Sequence, residues 1–142
     1  MARIDDDLVK LVADRERFGQ EVVSAVLPSG ARLVEVRHYT LPEGWDHLAV
    51  TILFIAPPAY PAAQPDCFWV ERVGADGTAL PLVPGLRWGG GKTPQNTGDN
   101  NPIPEVGPRG TWFSWHLSSW DPNRDTLSSY FKVIERRLVP PR

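Results

Sequence analysis

The stretch from Leu48 to Ala56 constrains this chain most, because it is apolar on both of its alternating faces. Side chains of a strand point by turns to the two faces of its sheet, so such a segment belongs in the middle of a sheet with most of both faces covered. It runs into a corner punctuated by Pro57, Pro58, Pro61 and Pro65. Proline donates no backbone hydrogen bond, so the strand must end there. Cys67 to Val73 then reads as the next strand, and Val22 to Leu27 and Ala31 to Tyr39 as two earlier ones joined by a turn at Pro28-Ser29-Gly30. Leu41-Pro42-Glu43-Gly44 marks a second turn.

Helices flank this meander. Ile4, Leu8, Leu11 and Val12 recur at helical spacing behind an acidic start at Asp5 to Asp7, and the helix should stop near Phe18-Gly19. Leu127, Tyr130, Phe131, Ile134 and Leu138 form an amphipathic face, with Asp121-Pro122-Asn123 as the expected start and Pro140-Pro141 as the stop. The order predicts an α+β domain over residues 1–142, a four-stranded antiparallel meander with helices packed on it. Between the fourth strand and the last helix, Gly74 to Arg109 holds eight of the 12 glycines and six prolines without a sustained period. So long an irregular stretch within a compact domain is usually functional or disordered. Trp88 and its glycine-rich neighbours suit ordering on contact with a partner. Trp112 to Leu117 reads as a short extended segment.

Composition narrows the function. A formal net charge of −2 argues against a nucleic-acid surface, which would show as a basic patch. Arg136 and Arg137 sit at a helix C-terminus, where positive charge suits the macrodipole without further partners. No apolar run approaches the roughly 20 residues of a membrane span, and the acidic N-terminal region is the reverse of a secretory signal. One cysteine allows no intrachain disulfide, so the expected compartment is the cytoplasm.

Gly89-Gly-Gly-Lys-Thr93 is not a phosphate loop: Leu86 stands where its first glycine belongs, and Pro94 obstructs the helix that should follow. His38, His47 and His116 are scattered, none pairs in sequence with Cys67, and the expectation is neither metal nor cofactor. Cys67, inside a predicted strand and without a basic neighbour in sequence, reads as an inert core thiol. The informative constellation is Gly110 to Pro122, where Thr111, Ser114, Ser118 and Ser119 share a segment with His116 and three tryptophans. A serine hydroxyl needs a base within hydrogen-bond reach to act as a nucleophile. In extended backbone Ser114 and His116 project to one face, so His116 could take that proton. The same pair also serves as a backbone cap in many loops.

Leu41-Pro42-x-Gly44, Tyr60-Pro61, Pro65-Asp66-x-Phe68-Trp69, Ser114-x-His116 and Trp120-x-Pro122 with Asp125-x-Leu127 follow one another in an order that resembles the prokaryotic ubiquitin-conjugating-enzyme-like proteins, family E. The resemblance implies the ubiquitin-conjugating (UBC-like) fold, with the long loop at the active site. It implies a carrier that accepts the C-terminus of a ubiquitin-like protein from an activating-enzyme homologue. The slot held by cysteine in other members falls near Phe113-Ser114, which implies an oxyester on Ser114 assisted by His116. Ser118 and Ser119 rank below Ser114. The family's His-Pro-Asn signature is absent; Asn101, or Asn96 or Asn100, could stand in for its asparagine, with Trp120 and Asp121 in support. The alternative is a non-catalytic UBC-fold module that binds a ubiquitin-like protein or activating enzyme. A small hydrolase built on Ser114 and His116 is more remote, since neither a nucleophile elbow nor an acid partner is evident, though Asp121 and Asp125 are near in sequence.

Overall fold

The computed structural model describes residues 3–117 and 119–142. Its elements are α1 (Arg3–Glu16), β1 (Glu21–Val26), β2 (Arg32–Thr40), β3 (Ala49–Ala56), β4 (Phe68–Arg72), β5 (Thr97–Gly98), β6 (Thr111–Phe113) and α2 (Leu127–Leu138). The expected four strands are present and antiparallel, but the sheet has six, in the order β1-β2-β3-β4-β6-β5. The two additional strands come from the glycine-proline segment and the aromatic segment after it. At two and three residues they are too short to show a period.

Alternation along β3 works as its sequence demands. Val50, Ile52 and Phe54 enter the core beneath the helices, where they meet Leu8 and Leu11 of α1 and Tyr130, Phe131 and Ile134 of α2. Leu53 faces the other way and packs with Leu33, Trp69 and Ile103. Ile103 belongs to the long loop, so that loop covers part of the second face of the sheet and explains why Leu53 and Ile55 on that face of β3 are apolar. Fully burying an aliphatic side chain of this kind stabilises by about 1.5–3 kcal/mol.

Polar contacts hold the loop in place. Glu105 accepts from the Ser29 amide at 2.9 Å and from the Ser29 hydroxyl at 2.6 Å, which fixes the loop to the β1–β2 turn. Arg109 donates to both carboxylate oxygens of Glu71 and to Glu35 at 2.8–3.1 Å, across the same face. Trp88 packs against the helix-side core, with the Lys92 ammonium 4.5 Å from the centre of its ring.

Asp99 is the hub of the remaining contacts. It takes an ion pair from Arg87 at 2.5 Å and a hydrogen bond from the Thr111 hydroxyl at 2.9 Å, and that hydroxyl accepts from the Leu86 amide at 2.9 Å. Gly85 is required beside it: a Cβ there would meet an Asp99 oxygen at 1.9 Å and the Thr111 hydroxyl at 2.7 Å.

Three details depart from the sequence reading. Helix α2 is capped by Thr126, whose hydroxyl accepts from the Ser129 amide while the Ser129 hydroxyl accepts from the Thr126 amide. Asp121-Pro122-Asn123 is instead a turn ahead of that cap. Arg137 is not a solvated helix end. It is buried, donates to the carbonyls of Gln95 and Arg142 at 2.8 and 3.1 Å, and lies over the Phe113 ring at 4.9 Å. Burial, together with the nearby Arg142 charge, lowers its pKa to about 10. Finally, Cys67 precedes β4 rather than lying in it.

Burial raises the pKa of Asp99, but the Arg87 and Thr111 hydrogen bonds outweigh it and leave the carboxyl below its ordinary value. A depressed folded-state pKa gives stability that is present above the unfolded value of about 4 and lost as pH falls through the folded one. Asp99→Asn should therefore cost about 1–3 kcal/mol at neutral pH. That cost should shrink steadily in acid, as read by urea unfolding over a pH series.

Candidate functional site

The pairing of β4 with β6 assembles the site. Register opposes Phe68 to Phe113, Trp69 to Trp112 and Val70 to Thr111. The Cys67 amide carries the pairing one step further by donating to the Trp115 carbonyl at 3.1 Å. Residues 66–67, leaving the proline corner, thus lie beside residues 114–116, leaving β6. Gly110 makes the approach possible: its φ is +77°, and a Cβ there would meet the Val70 carbonyl oxygen at 2.5 Å.

His116 is central. Its Nδ1 meets an Asp66 carboxylate oxygen at 2.5 Å, and its Nε2 faces the Ser114 hydroxyl at 3.5 Å. The sequence placed Ser114 and His116 together; the fold adds the acid partner, which is Asp66 rather than Asp121 or Asp125. With Nδ1 carrying the proton toward Asp66, Nε2 presents its lone pair to Ser114. The separation of 3.5 Å is at the outer limit of a hydrogen bond, as is common before substrate compresses such a pair. His116 and Asp66 side chains are 62% and 55% exposed, so their pairing does little for stability.

Ser114 is half-buried, and its amide donates to the Asn96 carbonyl at 2.9 Å. Among the described residues its hydroxyl bonds to His116 and to no backbone group. The supporting candidates stand apart from that hydroxyl. Asn101 takes the Trp69 indole hydrogen on its carbonyl at 2.9 Å, on the loop-covered side of the sheet. Asp121 accepts from the Asn123 amide at 2.9 Å and organises the turn before α2. Trp120 donates to the Pro61 carbonyl at 2.7 Å and packs on Tyr60 with ring centres 5.8 Å apart. It walls an open cleft of about 650 Å³ that also has Asp66, His116 and Gln64 on its surface. The amide oxygen of Gln64 is buried without a partner among the described residues. Ser119 is exposed, and Ser118 lies outside the described residues.

Cys67 is the correction with chemical content. Sequence separates it from every histidine, yet its Sγ, an Asp66 oxygen and a His116 nitrogen all lie within 4.8 Å of one another. Its φ is +60°, unusual for a residue with a side chain, and is held by the Trp115 carbonyl on one side and the Tyr130 hydroxyl, at 2.7 Å from the Cys67 carbonyl, on the other. Burial pushes the thiol up, against the backbone of Trp115 and the Trp112 indole, which favour the thiolate. His38 and His47 have other places: His38 lies in the β2 bulge, and His47 bonds the Val73 carbonyl at 2.8 Å. Asp66 was legible only as part of a motif, because no local signal ties it to a residue fifty positions away.

A family profile described as prokaryotic E2 family E matches residues 13–140. Neither the comparison with curated proteins nor that with solved structures returned a match. No helix among the described residues is long and apolar enough to cross a membrane.

The strand pairing under the site gives a direct test. Gly110→Ala places a side chain in left-handed backbone and against the Val70 carbonyl, so it should destabilise by about 2 kcal/mol or more. Amide exchange should accelerate first at Thr111 to Phe113, while β2 and β3 stay protected.

Proposed function

The chain belongs to prokaryotic E2 family E, and from that conjugating-enzyme-like role we propose that it carries the C-terminus of a ubiquitin-like protein as an oxyester on Ser114. The Ser114–His116–Asp66 line is the observation that carries the reading. The UBC-like assignment rests on the family match together with helices on one face of an antiparallel sheet.

Charging begins with His116 Nε2 accepting the Ser114 hydroxyl proton as Oγ attacks the thioester carbonyl presented by the activating enzyme. Asp66 holds the imidazole in the required tautomer and stabilises its protonated form. The tetrahedral intermediate collapses with loss of the activating enzyme's thiolate, which takes the proton from His116. The ester is then open to an amine, whose attack releases Ser114 as the free hydroxyl. Trp120 and Gln64 line the cleft beside His116 and Asp66 through which the tail would approach. Asp121 supports by fixing the turn that carries Trp120. Asn101 supports at a distance, by fastening the loop next to β5.

A second reading is a binding module without covalent chemistry. It is favoured by one observation: the only cysteine is buried, with its thiol pushed up rather than down. The two part in a single experiment. Mixed with its ubiquitin-like protein, activating enzyme and ATP, the chain should gain an adduct by intact mass, cleaved by hydroxylamine. Ser114→Ala should lose it, and Ser114→Cys should form a thioester in its place. His116→Ala should slow charging by about 10²- to 10⁴-fold. An adduct that persists in Ser114→Ala rules out the serine; none at all, beside a charged activating enzyme and tight binding, leaves the binding module.

A further inference from the structure

We infer that Asp66, Cys67 and His116 form a binding site for one Zn²⁺ ion. One carboxylate oxygen, one thiol sulfur and one ring nitrogen already lie within 4.8 Å of each other. Donors around a tetrahedral zinc, at about 2.0–2.3 Å from the metal, stand about 3.4–3.7 Å apart, so small side-chain rotations close the set. The carboxylate and imidazole are exposed, which gives them room to rotate and gives the ion its way in. Cys67 is fixed from both sides of its backbone, so the sulfur is the rigid corner of the site.

The donor types select the cation. Calcium and magnesium take oxygen ligands, whereas a mixed sulfur, nitrogen and oxygen set suits zinc. Zinc binds the thiolate, so the Cys67 proton passes to solvent as the metal–sulfur bond forms. Three protein ligands leave the fourth tetrahedral position for a solvent or substrate oxygen.

Occupancy would also govern the chemistry proposed above, and this consequence, unlike the binding itself, rests on that reading. If zinc takes Nδ1, the neutral ring keeps its proton on Nε2 and has no lone pair for Ser114. If it takes Nε2, the lone pair is used directly. Either way His116 stops being a base, and the metal acts as an inhibitor of charging.

The test uses the full chain alone, stripped of metal, with Co²⁺ as a spectroscopic probe and Zn²⁺ as its competitor. One equivalent of Co²⁺ should give tetrahedral ligand-field bands and a thiolate-to-metal charge-transfer band, both erased by added Zn²⁺. Cys67→Ser should lose the charge-transfer band. Asp66→Asn and His116→Ala, changes at exposed side chains that leave the core intact, should each weaken Zn²⁺ binding by more than the roughly 10- to 100-fold that loss of an outer-shell partner costs. No uptake, a spectrum without the thiolate band, or uptake indifferent to these substitutions overturns the site. Zinc bound by a chain that never forms the adduct would leave the site standing and remove the ester carrier; an adduct without zinc binding would do the reverse.

Discussion

Everything of chemical interest in this molecule depends on how closely the short strand β6 lies against β4. Three residue pairs define that contact, and one more hydrogen bond, from Cys67 to Trp115, extends it beyond the strand ends. Backbone pairing of this kind sets position to within a fraction of a side-chain length. It places a proline corner, stiff by composition, next to an aromatic segment that α2 supports from below. Stacking of Phe68 on Phe113, with ring centres 4.8 Å apart, and the Arg137 guanidinium over the same Phe113 ring reinforce the contact. The side chains of Asp66, Ser114 and His116 are thus set on paired backbone.

Two polar arrangements explain how so irregular a loop is kept in one conformation. On the covered face Arg109 spans Glu71 and Glu35; the Glu71 hydrogen bonds outweigh the cost of burial and hold the arginine firmly charged. At the far edge Asp99 gathers Arg87 and Thr111. Burying one charge alone would cost several kcal/mol, so each of these groups requires its partners as much as it provides for them. Arg137 follows a different rule. It has backbone oxygens and aromatic faces instead of an acidic side chain, and burial costs it basicity.

The parts legible in the sequence were those with a period. Helical spacing in Leu127 to Leu138 and two-sided apolarity in Leu48 to Ala56 are direct prints of burial; β3 appears within a residue of its expected ends, whereas α2 begins at Leu127, behind the turn at Asp121-Pro122-Asn123. Strands β5 and β6 carry no such print, since pairing and not amphipathicity maintains them. Cys67 reads as part of a strand because Phe68, Trp69 and Val70 after it are apolar, whereas its left-handed backbone breaks the ladder just before β4. Ser114 and His116 could be paired because they are two positions apart. Asp66 and Cys67 could not be joined to them, because only the β4–β6 register brings them there.

The lid that Ile103 places over Leu33, Leu53 and Trp69 has a consequence for how the chain assembles. Those contacts join residues tens of positions apart, so closing them requires a long loop to give up its freedom before it gains any burial. The meander and the helices can form first, with Trp69 still wet on the outer face. The segment from Thr97 to Arg109 is then expected to dock late, and the short edge strand β5 with it. Since β6 pairs with β5 of that segment and sends Phe113 to one side of the sheet and Trp112 to the other, the face that carries Ser114 and His116 is tied to the covering of the far face.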